Sequence, residues 1–271
     1  MKSVDGLVSS VLAHYELHGR MLPWRLPDDR GFFDPYKITV SEIMLQQTQV
    51  PRVLPKYEEF LSRFPDVKSL AGAPLKDVLI AWQGLGYNRR AKFLWQTAQK
   101  VVNDYAGIFP DDQEELTRLP GIGWNTAGAI CAYAFNKPAL FIETNVRAVF
   151  IHHCFADQEN VADKDIIPLL RQALDGQNPR LFYWALMDYG VHIKARYGNA
   201  AARSKHYVKQ TAFQGSRRQL RGAILRSLSK GPAPIERLEV ELSDSRLHEV
   251  LEALAAEGLI ENGAGTIRLA S

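Results

Sequence analysis

The stretch "LPGIGWNTAG", Leu119–Gly128, sets a proline and two glycines between two runs of helical character. Upstream, "PDDQEEL" puts acids in the first turn of a capped helix start, and downstream "WNTAGAICAYAF" is an apolar helix of small residues. "PGIG" is then a very short turn. Glycine permits positive φ and leaves no side chain over the amides, so the N–H groups opening the second helix form an electropositive site of phosphate size. The same residues also read as a plain corner between two helices.

Outward from this turn, apolar residues recur at helical spacing in "VLPKYEEFLSRF", "LKDVLIAWQGL" and "KFLWQTAQKVVNDY". Convincing alternation is confined to the last ten residues, so the body is expected to be all-α. Proline and glycine punctuate it at "FPDVKSLAGAP", "GIFPDDQEEL" and "DGQNPR". A second domain is expected from about residue 215 to 271, after a first spanning 1–214. There "SRRQLRGAILRSLS", "APIERLEVELS" and "SRLHEVLEALAAEGLIE" read as three short helices, and "NGAGTIRLA" as a β-hairpin. That order is winged-helix-like, an α+β module that serves DNA or protein partners.

The chain has 271 residues, 46% hydrophobic and 23% charged, with a net charge of +3. It is long enough for a substantial core. No apolar run approaches the ~18 residues of a membrane span, and charges interrupt the first twenty residues where a secretion signal would be apolar. No membrane association is expected, and the location is read as cytoplasmic, at the nucleoid. Two cysteines, Cys131 and Cys154, are too few for a disulfide framework or a four-thiolate metal site and read as core residues. From Arg203 to Arg226, "RSKHYVKQTAFQGSRRQLRGAILR" holds basic and aromatic residues and no acid. It reads as a phosphate-facing element or as a solvated face.

About twenty residues past the hairpin, "FIETNVRAVF" sets Glu143 in an apolar run beside Thr144 and Asn145. By itself this is a helix cap or a functional carboxylate. With the hairpin (about 116–130) it resembles the helix-hairpin-helix (HhH-GPD) DNA glycosylase superfamily. "LPWR", "DPYKITVSEIMLQQTQV", "FPDVKSLAGAP", "WQGLGYNRRAKFL" and "LPGIGWNTAGAI" follow the order and spacing of its MutY-type adenine glycosylases over roughly residues 15–195. The resemblance implies a two-subdomain helical fold and a base-excision-repair enzyme that flips a mispaired base, most simply adenine, out of double-stranded DNA and hydrolyses its N-glycosidic bond.

The roles implied are these. Glu42 matches the general acid, Glu143 stands where the family carries a catalytic aspartate, and Asn145 matches an asparagine near the reacting sugar. One carboxyl protonates the leaving base and the other stabilises an oxocarbenium-like sugar. Arg20, Trp24, Asn125, Trp184 and Met187 match positions about the base pocket. Gln46, Gln47 and Tyr87 match residues that enter the stack. Gly121, Ile122, Gly123 and Thr126 form the hairpin that grips phosphate, with a monovalent cation on its backbone as the one metal implied. Arg217, Arg218 and Arg221 extend the basic contact.

The chain departs from the family in several places. Asn125 replaces the lysine of strand-cleaving relatives, which implies a glycosylase without efficient lyase activity. Glutamate replaces aspartate at 143, and Trp184 replaces a hydrogen-bonding residue. The four cysteines of a [4Fe–4S] cluster are missing after "WALMDYGVHIKARYG", so no cofactor is expected. The winged-helix-like module is expected to stand in place of the family's β-rich domain that checks for 8-oxoguanine. A monomer is expected. The alternatives are the same scaffold acting on thymine, uracil or another modified base, and a non-catalytic DNA-binding regulator.

Overall fold

A computed structural model describes residues 4–209, 212–263 and 265–271. Its helices are α1 (Val4–His18), α2 (Pro35–Leu45), α3 (Val50–Arg63), α4 (Val67–Ala71), α5 (Leu75–Ala81), α6 (Arg89–Asp104), α7 (Gln113–Thr117), α8 (Trp124–Phe135), α9 (Thr144–Cys154), α10 (Asp163–Leu174), α11 (Pro179–Tyr197), α12 (Arg217–Leu228), α13 (Ile235–Leu242) and α14 (Leu247–Ala256). Three short strands accompany the last helices: β1 (Ala233–Pro234), β2 (Ile260–Gly263) and β3 (Thr266–Leu269). The body is helical, as the periodicity implied, with a little sheet at the C-terminal end.

Two compact units divide the chain. The first holds residues up to Ile38, Asp111–Arg118 and Ile122–Lys209; the second holds Thr39–Pro110, Leu119–Gly121 and Gln210–Ser271.

In the first unit α9 and α11 pack closely around Val149, Phe150, Phe182 and Leu186, all fully buried. Gly190 makes that approach feasible: a Cβ there would lie 2.6 Å from Asn145 Cβ and 2.8 Å from its carbonyl oxygen. Helix α8 is apolar on every side and sunk in the core. Tyr183 stacks on Phe141 at 3.9 Å between centroids, and its hydroxyl donates to Ala139 O at 2.7 Å. The phenol is thus buried with its hydrogen-bonding capacity used.

The second unit is built on α3 and α6. Val53, Tyr57 and Phe60 recur at helical spacing on the buried face of α3, and Phe60 meets Trp82 edge-on at 5.9 Å. Helix α6 buries Leu94, Ala98 and Val101. The C-terminal module belongs to this unit. Ser216 caps α12 by accepting from Gln219 N, and α12 and α14 bury Leu220, Ile224, Val250 and Leu254 against the sheet. The strands lie in the order β1-β3-β2, antiparallel throughout, with Ile260 opposite Leu269 and Ala233 opposite Ile267. Strand β1 was not anticipated, because a two-residue strand ending in proline has no alternation to read.

Candidate active site

The hairpin is closed by local chemistry. Asp112 caps α7 by accepting from Glu114 N and Glu115 N, as its acidic start implied. Gly121 turns the chain at φ 74°, and a Cβ there would lie 2.6 Å from Phe93 Cβ, so both conformation and space demand glycine. Thr97 holds the turn by donating to Pro120 O at 2.7 Å. Ile122 and Thr126 are buried, whereas Gly123 is exposed, caps α8 with no side chain over its first turn, and has open space about its Cα. Exposed first-turn amides without a covering side chain suit an anion.

Asn125, at the start of α8, clamps the chain leading into α9. Its Nδ2 donates to Ile142 O at 3.1 Å and its Oδ1 accepts from Ile142 N at 3.3 Å. The next residue, Glu143, sits at the N-cap of α9 but makes no capping bond. Burial pushes its carboxyl up, against the opposing charge of Arg147. That arginine is tied to Asp163 by two bonds of 2.7 Å. Asn145 Nδ2 contacts Met187 Sδ at 3.7 Å, and its backbone abuts Gly190. Asn125, Glu143, Asn145 and Met187 are thus brought together on the first unit.

Behind them lies a buried charge cluster. Asp188 accepts from Arg20 N, Nε and Nη2 and from both Nη atoms of Arg25, at 2.6–2.9 Å. Burial would push this carboxyl up, but the bonds and charge of Arg25, then those of Arg20, outweigh it and hold the group below its ordinary value. The Arg25 guanidinium lies 5.5 Å from the Trp184 ring, which itself stacks on Tyr133 at 5.8 Å. Trp24 and Trp184 are 6% and 8% exposed. Trp184 is thus buried between aromatic and cationic neighbours, and Arg20 belongs to the ionic cluster.

On the second unit, Glu42 is half-buried on α2, a helix that also carries the buried Val40, Ile43 and Met44. The turn after α2 carries Gln46 and Gln47, the turn before α6 carries Tyr87, and Arg90 binds the two turns together. It donates to Ile43 O, Met44 O and Gln46 O at 2.5–3.0 Å, and to Thr48 Oγ1, Leu85 O and Gly86 O at 3.1–3.2 Å. The carbonyls at the end of α2 would otherwise be orphaned. Its guanidinium also lies 5.4 Å from Trp82 and 5.5 Å from Tyr87, and burial lowers its pKa to about 10 against the opposing Tyr87 phenol. Sequence reading passed over Arg90: the "NRR" run offers no sign that its second arginine is only 8% exposed.

The chain has relatives among known proteins. Residues 40–169 match the family model described as HhH-GPD superfamily base excision DNA repair protein. An adenine DNA glycosylase of Mycobacterium tuberculosis is 34% identical over 93% of this chain and 89% of its own length. The chain belongs to the HhH-GPD superfamily. An adenine DNA glycosylase of Buchnera aphidicola is 38% identical over 68% of this chain, which spans about half, 52%, of that relative's length. A solved thermostable thymine-DNA glycosylase superposes with a TM-score of 0.63 at 27% identity, covering 73% of this chain and 90% of that one. The HhH-GPD match takes in Glu42, Gln46, Gln47, Tyr87, the hairpin, Glu143 and Asn145.

Within the basic run, residues 210 and 211 lie outside the described residues. Arg203 donates to the Phe155, Ala156 and Ile151 carbonyls at the end of α9. Arg217 pairs with Glu249 at 2.8 Å and Arg221 with Glu257 at 2.5 Å, while Arg218 donates to Tyr87 Oη at 2.7 Å. All four of these arginines thus bind the fold itself as well as offering charge. Among the described residues no helix is long and apolar enough to cross a membrane.

Proposed function

We propose that this chain is a monofunctional DNA glycosylase acting as a monomer on double-stranded DNA with a mispaired base, and that the base it removes is adenine. The observation that carries the reading is the clamped carboxyl: Asn125 holds both backbone groups of Ile142 and so fixes the chain that presents Glu143 beside Asn145. Family membership and the adenine glycosylases among its relatives supply the reaction class.

In this mechanism Glu42 protonates the ring nitrogen of the flipped purine. The bond from C1′ to the base breaks, its electron pair leaves with the base, and the Glu143 carboxylate faces the positive sugar. Water adds to C1′, losing a proton, and an abasic site remains. Asn125 has no amine to form a Schiff base and is committed to Ile142, so the strand stays intact. A [4Fe–4S] cluster does not fit the residues present. The segment after α11 carries no thiol, and both cysteines are buried on α8 and α9 with thiol pKa values raised by burial, Cys131 to about 11.

The test is single-turnover base release from duplexes carrying one A:G, A:C, T:G or U:G pair, with and without alkali. Adenine release with alkali-dependent strand cleavage is expected, and Glu42→Gln and Glu143→Gln should each lower the rate at least ~100-fold. Because Glu143 must be ionised and burial raises its pKa, the rate should fall on acidification from a pH above the ordinary glutamate range. Release of thymine alone would move the reading to the thymine glycosylases.

A further inference from the structure

Trp124 follows the hairpin and opens α8. It is 53% exposed, whereas Trp24, Trp82 and Trp184 are 8% exposed or less. Its position is nevertheless fixed. The indole Nε1 donates to Leu140 O at 3.2 Å, and the Trp124 carbonyl accepts from Gln113 Nε2 at 3.0 Å. With its single N–H spent, the ring has only its apolar surface left to offer a ligand.

That ring lines a groove of about 920 Å³ in the first unit, completed by the turn between α8 and α9, the end of α10 and the turn that follows it. The volume is that of a small-molecule site, roughly 300–1,000 Å³. Pro138, Pro168 and Pro179 stand in three of its segments and stiffen them. The polar chemistry of the walls is of two kinds. The side-chain amides of Gln172 and Gln177 each carry a donor group and an acceptor, and form no hydrogen bond among the described residues. Arg171, exposed on α10, is the one cation in the wall and forms no ion pair among the described residues, while Asp175, the one acid, lies four positions further on.

An aromatic face, amides able to meet the edge of a base, and a guanidinium able to meet a phosphate together match a nucleotide. The base must be unpaired, because in a duplex each base face is covered by its neighbours. We propose that this groove binds an unpaired nucleotide of the DNA strand held at the hairpin, with its base stacked on Trp124 and its phosphate against Arg171. The groove starts at the residue next to Gly123, so a strand gripped by the hairpin enters it directly. The inference needs DNA as the partner and does not depend on the removal of adenine. Its consequence is a preference for duplexes that continue as single strand.

The test is equilibrium binding of the full chain to a blunt duplex with a tetrahydrofuran abasic analogue near one end, and to the same duplex extended there by about ten unpaired nucleotides on the 3′ or the 5′ side. One of the two extensions should tighten binding by the wild type at least about fivefold, and should quench the fluorescence of the exposed Trp124. Trp124→Ala should remove the gain, Trp124→Phe should keep part of it, and both should bind the blunt duplex as the wild type does. Arg171→Gln should lower the salt slope on the extended duplex by about 0.7, one single-strand phosphate contact. Equal binding of blunt and extended duplexes by the wild type overturns the assignment, as does a full gain in Trp124→Ala. A loss in Trp124→Ala that is uniform across blunt and extended duplexes also overturns it, since that marks a merely structural indole. Free adenosine monophosphate that quenches as strongly as the extension, at equal concentration, reassigns the groove to free nucleotides and overturns the strand. Base release is measured in parallel, and its absence with the extension-dependent gain intact counts against the glycosylase reading and not against the groove.

Discussion

Each unit contains a buried ionic residue that ties distant segments together, and the two are satisfied in opposite ways. In the first unit Asp188 is met by two cations, Arg20 and Arg25. In the second, Arg90 is met mainly by neutral dipoles, the carbonyls at the end of α2 and in the turn before Tyr87. A carboxylate paired with cations has its charge stabilised, so its pKa falls; an arginine among carbonyls loses more hydration than it regains, so its pKa falls as well, to about 10. The direction is shared and the meaning is reversed. The Asp188 cluster favours the charged form of its carboxyl, whereas the Arg90 cluster holds its guanidinium charged in spite of burial. The first device can be dismantled by acid; the second cannot be dismantled within the physiological pH range.

The sharpest way to break this contrast is Asp188→Ala, which leaves Arg25, with a side chain 6% exposed, among protein atoms without its counter-charge. Removing one member of a buried ion pair costs about 3–5 kcal/mol, so urea denaturation should show a loss of that size. Arg90→Met should follow at about 3 kcal/mol, from buried carbonyls left without a donor at 1–3 kcal/mol each. This variant should also lose binding to abasic-analogue duplexes beyond its loss of stability, because the Gln46 and Tyr87 turns are no longer joined. Retained affinity in folded Arg90→Met would show that the turns hold their shape without it.

Gly190→Ala tests the neighbouring contact rather than the charge. Its Cβ would meet backbone as well as side-chain atoms of Asn145, and overpacking of this kind costs about 1–3 kcal/mol. Base release should drop more than thermal stability does, since Asn145 is pushed from Met187. The smallest effect expected is the acid response of the wild type. The folded pKa of Asp188 is depressed, so its contribution is full above the unfolded value, near 4, and fades as pH falls through the lower folded value. Denaturant midpoints should therefore decline below about pH 4, with a shallower decline in Asp188→Asn. Arg90→Met should keep the wild-type slope.

What could be read from the sequence was what neighbouring residues decide. Asp112, Gly121 and the small-residue run locate α7, the turn and α8, because capping, positive φ and helical period act within a few positions. The helical body and the C-terminal hairpin followed from periodicity in the same way, and Glu42, Tyr87 and Glu143 stood out because they sit inside motifs of fixed spacing. What tertiary structure alone decided was the identity of partners. Arg90 reaches back 47 residues to Ile43, Asp188 closes on Arg20 across 168, and Arg218 finds Tyr87 across 131. Nothing in the sequence around any of these residues names its partner. Burial selects the partner of a charge, and burial is set when segments far apart in the chain pack together, a choice that local pattern does not carry.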